Sequence, residues 1–207
     1  MRKTAFVAVF LLFVIVFIIG FIVGKISSPE VTDVTKLLKD NELNTQAFLL
    51  EQELFSDMGC DYARSGLGRL SDKLWQLGKI LDRPTAEQDL GAANYDYLKR
   101  KYHLLQIRAY TAYKKISEEC GSKDVVLFYF SRNDNLSSEQ GSILDSLVSA
   151  RNLTVFALEY NYSPEMNFVE KYYGISQTPS VVVNYSKVFT GLTPAEVLEP
   201  YLWNNQK

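Results

Sequence analysis

The sequence predicts a mixed α/β protein held at a membrane by one amino-terminal helix, with a helical hairpin between the anchor and the α/β part. Three observations carry that expectation. Ala5 to Val23 is a run of 19 residues without a charged or polar side chain. Apolar residues between 60 and 116 step alternately by three and four, the helical signature. After residue 124, short apolar runs alternate with helical patterns, the mark of strands crossed over by helices. The expected organisation is an anchor over 1–28, a helical stalk over 29–121 and an α/β domain over 122–207.

Composition limits the function classes. The 207 residues are 47% hydrophobic and 22% charged, which excludes a disordered or collagen-like chain. Arg2, Lys3 and Lys25 supply three of the 22 basic residues, and residues 1–28 contain no acid. The rest holds 19 basic and 24 acidic residues, a net charge of −5 that argues against a nucleic-acid partner. Two cysteines are too few for a disulfide-dense mini-protein or a four-thiolate zinc site.

The amino-terminal run matches a bilayer. At 1.5 Å per residue, about 20 helical residues span the hydrocarbon core of about 30 Å. A cleaved signal peptide has a shorter apolar region and ends in a small-x-small site, which Gly24-Lys25-Ile26-Ser27-Ser28 does not offer. Residues 5–24 are therefore expected to be an uncleaved, single-pass anchor. Arg2 and Lys3 against Lys25 alone place the amino terminus in the cytoplasm and everything from Ser27 outside.

A first helix is expected over about 31–56, with an irregular apolar phase. Two sharper helices follow. Cys60, Ala63, Leu67, Leu70, Leu74, Leu77 and Leu81 form one seam, and Tyr95, Leu98, Tyr102, Leu105, Ala109, Ala112 and Ile116 form another. Arg83-Pro84-Thr85 stops the first, and the short linker forces an antiparallel return. Facing positions in such a pair have a constant index sum. Leu81 with Leu98 and Leu67 with Ala112 both give 179, and Cys60 with Cys120 gives 180. Both thiols reach the same end of the hairpin, where a disulfide is expected if the compartment is oxidising; two free thiols is the other reading. A catalytic pair is disfavoured by Cys120, which stands at a helix end, the pole that does not stabilise a thiolate. His103 falls off the apolar seam and is expected to be solvated.

From residue 122 the period changes. Val125 to Phe130 is a continuous apolar run, the signature of a buried central strand. A polar loop, 131–138, leads into a helix through Ile143, Leu144, Leu147 and Val148, and Leu153 to Tyr160 is a second strand, parallel to the first through its crossover. Ser163-Pro164 opens a helix stopped by Gly174. Thr178-Pro179-Ser180-Val181-Val182-Val183 is a third strand with a proline at its first edge, and Lys187-Val188-Phe189-Thr190-Gly191 pairs back as a hairpin. Thr193-Pro194-Ala195-Glu196 is a capping-box pattern for a last helix, which Pro200 is expected to cut or kink.

The order β-α-β-α-β-β-α, with a proline entering the third strand, resembles a thioredoxin-like domain lacking the first family strand. The most specific segment is Ile175-Ser176-Gln177-Thr178-Pro179-Ser180-Val181-Val182-Val183, which resembles the family's cis-proline loop. The resemblance implies a Cys-x-x-Cys at the start of the helix after the first strand, and here those positions fall at Asp134 and Ser137. No cysteine lies beyond residue 120, and thiol–disulfide exchange requires sulfur attacking sulfur. The domain is therefore expected to be non-catalytic, without cofactor or metal. The resemblance also implies a peptide-docking face, with Tyr129, Phe130, Thr178 and Pro179 as candidate contacts. Asn135, Asn152 and Asn184 head N-x-[ST] sequons and are candidate glycosylation positions; Asn161 heads a fourth, weakened by Pro164. The expected function is a protein-interaction or folding-assistance module. The alternatives are a thiol–disulfide oxidoreductase or relay using Cys60 and Cys120, and a structural spacer in a membrane assembly.

Overall fold

In the computed structural model the described residues are 13–18, 46–47, 50, 59–121, 124–150 and 153–202. The chain divides into two units, 1–44 and 45–207. In the first, residues 13–18 are helical and exposed. The rest of the expected anchor over 5–24, and most of the helix expected over 31–56, lie outside the described residues. No helix among the described residues is long and apolar enough to cross a membrane.

The second unit is a four-stranded sheet with helices on both faces. Helix α1 (Cys60–Leu81) is followed by a short α2 (Ala86–Leu90) and the long α3 (Ala92–Cys120). Then come β1 (Val125–Phe130), α4 (Asn135–Ala150), β2 (Thr154–Glu159), a 3-10 turn (Pro164–Met166) and α5 (Asn167–Tyr173). The chain closes with β3 (Ser180–Val183), β4 (Lys187–Thr190) and α6 (Ala195–Leu202). Strand order is β2-β1-β3-β4, with β2 parallel to β1, β3 antiparallel to β1 and β4 antiparallel to β3.

Side chains alternate across a strand, so β1 feeds two layers. Val125, Leu127 and Tyr129 face the layer shared with α1, α3 and α5. Val126 and Phe128 face the other, where Leu144 and Leu147 of α4 meet Leu198 and Leu202 of α6. Both faces of β1 are covered, which explains why its sequence is apolar at every position.

The helical hairpin is not a stalk separate from the α/β part. Ala63, Leu67, Leu70 and Leu74 of α1, together with Ala109, Ala112 and Ile116 of α3, share one core with Val125, Leu127, Phe156 and Leu158 of the sheet. The physical reason is a second seam on α3. Besides the apolar one that meets α1, Lys99, His103, Gln106, Tyr110 and Tyr113 repeat at the same three-and-four spacing and are all buried. Gln106 Oε1 accepts from the Ala157 N–H of β2 at 2.8 Å, and the Tyr113 and Tyr110 rings stand edge-on to Phe156. His103, expected in solvent, is 1% exposed for the same reason.

Two smaller expectations change. Pro200 does not cut α6, which continues to Leu202, because Leu198 and Leu202, both fully buried, hold the helix on the core on either side of the proline. Thr193 does not cap α6: its hydroxyl donates to the Gly191 carbonyl at 3.0 Å, and its backbone is held by Gln140. The β3–β4 turn uses Asn184 and Tyr185 at φ 46° and 64°, with the Ser186 N–H returning to the Val183 carbonyl at 3.2 Å. Two consecutive left-handed residues give the turn the twist that a tight hairpin needs.

Candidate functional site

At the carboxyl edge of β1 the chain leaves the sheet as Ser131-Arg132-Asn133-Asp134 and enters α4. Asn133 takes a left-handed conformation, φ 59°, which turns Asp134 back over the helix start. One Asp134 carboxylate oxygen accepts from the Ser137 N–H at 3.0 Å and the Ser137 hydroxyl at 2.6 Å, and the other accepts from the Leu136 N–H at 3.3 Å. Asp134 is thus the N-cap of α4. The Ser137 hydroxyl, followed by the two backbone N–H groups, holds its carboxyl below the usual carboxylate range. Ser137 is 4% exposed and in turn accepts the Ser131 N–H at 3.1 Å.

Across from this loop stands the turn before β3. The Thr178–Pro179 peptide is cis, and the hydroxyls of Ser131 and Thr178 are 2.7 Å apart. The Ser180 hydroxyl donates to the Gln177 carbonyl, and the Gly191 N–H donates to the Pro179 carbonyl, so the turn is fastened at both ends. The structure therefore brings Asp134, Ser137, Ser131 and Thr178 into one hydrogen-bonded chain. It does not bring the four candidate peptide contacts to one surface. Tyr129 is 1% exposed and belongs to the α3–α5 layer, and Pro179 is buried. Phe130 is half-buried against Phe128 in the other layer, which leaves Phe130 and Thr178, with the exposed Gln177, as the accessible part. The chemistry of this face is hydroxyls and one capped carboxylate, which can donate and accept hydrogen bonds but offers no thiolate or imidazole.

Beside it lies a charged cluster that sequence reasoning missed. The buried Lys99 ammonium pairs with Glu159 at the end of β2 and sits 4.5 Å from the centre of the Tyr162 ring. Burial lowers the Lys99 pKa, and the Glu159 carboxylate pulls it back up. Arg132 reaches Glu159 at 3.3 Å and the Tyr95 hydroxyl, while the Tyr162 hydroxyl donates to Asp96 at 3.0 Å. Arg100 joins Asp96 to Glu165. Each charge is matched, so the cluster locks α3 to the sheet edge. Its signal was the buried seam of α3, in which Lys99 precedes His103 by one turn. Among the described residues no group of three or more His, Cys, Asp or Glu side chains is arranged to hold a metal ion.

Cys60 and Cys120 are joined in a disulfide, with Cα atoms 5.5 Å apart. Cys60 is the first residue of α1, and the Arg64 guanidinium one turn on donates to the Cys120 carbonyl. Of the sequons, Asn135 is exposed at the first residue of α4. Asn184 is not free to carry a glycan in this fold: its carbonyl oxygen accepts the Val125 N–H, and its nitrogen donates to Asp124 and to the Tyr201 carbonyl. Asn152 lies outside the described residues. No family model matches the chain, and no curated protein matches it.

Proposed function

We propose that the chain is a membrane-anchored, extracytoplasmic protein whose sheet and flanking helices form a redox-inactive thioredoxin-like domain that binds an extended protein segment. The strand order β2-β1-β3-β4, with the Thr178–Pro179 turn facing the loop after β1, supports the fold reading. The observation that carries the functional reading is the Asp134–Ser137 pair: where the resemblance implies reactive thiols, a helix cap is tied by hydrogen bonds to Ser131 and onward to Thr178. Such a face has no group to transfer electrons, and its accessible part, Phe130, Thr178 and Gln177, supplies an apolar ring, a hydroxyl and an amide for an extended backbone. The full chain in nanodiscs, carrying a photo-crosslinker at Gln177, is expected to capture unstructured polypeptides, and to capture far fewer when the crosslinker is at Glu199 on α6. Equal labelling from both positions would refute the docking face. Insulin reduction should stay at background.

A second reading, a thiol–disulfide relay, is favoured by one observation. Cys60 opens α1, where the helix dipole stabilises a thiolate, with Arg64 nearby. A working pair would equilibrate with a glutathione redox buffer and Cys60→Ser would abolish that exchange; a structural bond stays oxidised in the buffer and shows no exchange for the substitution to abolish.

A further inference from the structure

Buried polar groups are treated differently in the two layers. On the α4–α6 side, Gln140 spans to the Thr193 backbone with both ends of its amide, at 2.7 and 3.1 Å. On the α3–α5 side, both ring nitrogens of His103, Gln106 Nε2, Asn167 Oδ1 and the hydroxyls of Tyr129 and Tyr185 are buried without a protein partner. These groups are not scattered. His103 and Gln106 are successive positions on the polar seam of α3, and Tyr110 is the next. The Tyr110 hydroxyl meets that of Tyr173 at 2.7 Å, and the Tyr185 ring centre is 4.9 Å from that of Tyr110. Tyr110 and Tyr129 belong to one buried core cluster, and Tyr173 and Tyr185 pack against it.

A buried hydroxyl without a partner is costly, and native folds satisfy such groups with protein or ordered water. The ligand chemistry can be argued from the groups. Phenols donate and accept, the Gln106 amide nitrogen donates, and a neutral imidazole does one of each, so the partner must do both. An anion is disfavoured at the phenol cluster by Glu170, whose charge acts on Tyr129. Lys99 and Arg132, the cations whose charges act on His103, are paired with Glu159.

We infer that the layer between α3, α5 and the sheet is an internal hydration site, in which bound water joins the Tyr129 and Tyr185 hydroxyls to the Tyr110–Tyr173 pair. The water is part of the fold, as buried waters with about three hydrogen bonds generally are. Tyr129→Phe and Tyr185→Phe keep the ring and remove only the hydroxyl, so both variants are expected to fold. If the hydroxyls are hydrated, each substitution lowers Tm by roughly 2–4 °C, and the double variant loses less than the sum because both act on shared water. In the full chain, 3-fluorotyrosine at position 129 should show an H2O/D2O isotope shift in its 19F resonance. Additive rises in Tm with no isotope shift would overturn the inference, since removing a dry, unpaired hydroxyl stabilises a core.

Discussion

His103 is held neutral by its surroundings. Burial, and then the charges of Lys99 and Arg132, push its pKa down to about 3, against roughly 6.5 for a free imidazole. Between those values the unfolded chain binds a proton that the folded chain refuses, so stability falls as pH drops below about 6.5, by about 1.4 kcal/mol per pH unit. Above 6.5 both states are neutral and the group contributes no slope. His103 is the only histidine in the sequence, and His103→Phe leaves every other titrating group in place, so the difference between the two chains' urea midpoints from pH 7 to pH 5.5 reads its contribution. The midpoint should fall further across that range in the parent chain than in His103→Phe; parallel curves would show that the folded imidazole accepts the proton. Its burial was not legible in the sequence, because a search for apolar periodicity passes over a seam written in Lys, His, Gln and Tyr. Asp134 was legible as a position but not as a role. Reading it as a degenerate thiol position hid its capping geometry. Asp134→Ala should lower the midpoint of chemical denaturation, as the loss of a helix cap does. An unchanged midpoint would mean that the cap contributes nothing.

At the scale of elements, two glycines of α1 separate intrinsic helix propensity from packing. Gly68 has open space where a side chain would begin, whereas a Cβ at Gly78 would stand 2.7 Å from the Tyr102 hydroxyl and 3.2 Å from its ring. Gly68→Ala should stabilise by about 1 kcal/mol, since only backbone entropy changes. Gly78→Ala gains the same propensity but must displace Tyr102, and a net loss of about 1 kcal/mol is expected from overpacking. Thermal or urea denaturation of the two variants should show opposite signs; two gains would mean that Tyr102 yields freely. The order of strands and helices from 125 onward was legible because β1 is apolar throughout and the later elements are punctuated by Gly174, Pro179 and Gly191. The end of α6 was not, since local rules about Pro200 give way to two leucines buried in the core. Nor was the capping pattern at Thr193, where a distant side chain, Gln140, takes the backbone groups.

For the molecule as a whole, the consequence of α3 having two seams is cooperativity. A stalk with its own core and a separate α/β domain would unfold in two steps; a hairpin whose residues share a core with β1 and β2 has no such boundary. The disulfide acts on this single unit. It joins residues 60 apart in sequence, for which loop-closure entropy gives about 4 kcal/mol. Removing it in the Cys60→Ser, Cys120→Ser double variant should therefore shift one transition to lower denaturant without splitting it. Hydrogen exchange on the full chain in nanodiscs reads this directly. Amides of α1 and α3 should lose protection at the same denaturant concentration as those of β1 and β3, in both the parent and the variant. Earlier loss across α1 and α3, with the sheet still protected, would restore the stalk as an independent element and confine the role of the disulfide to it.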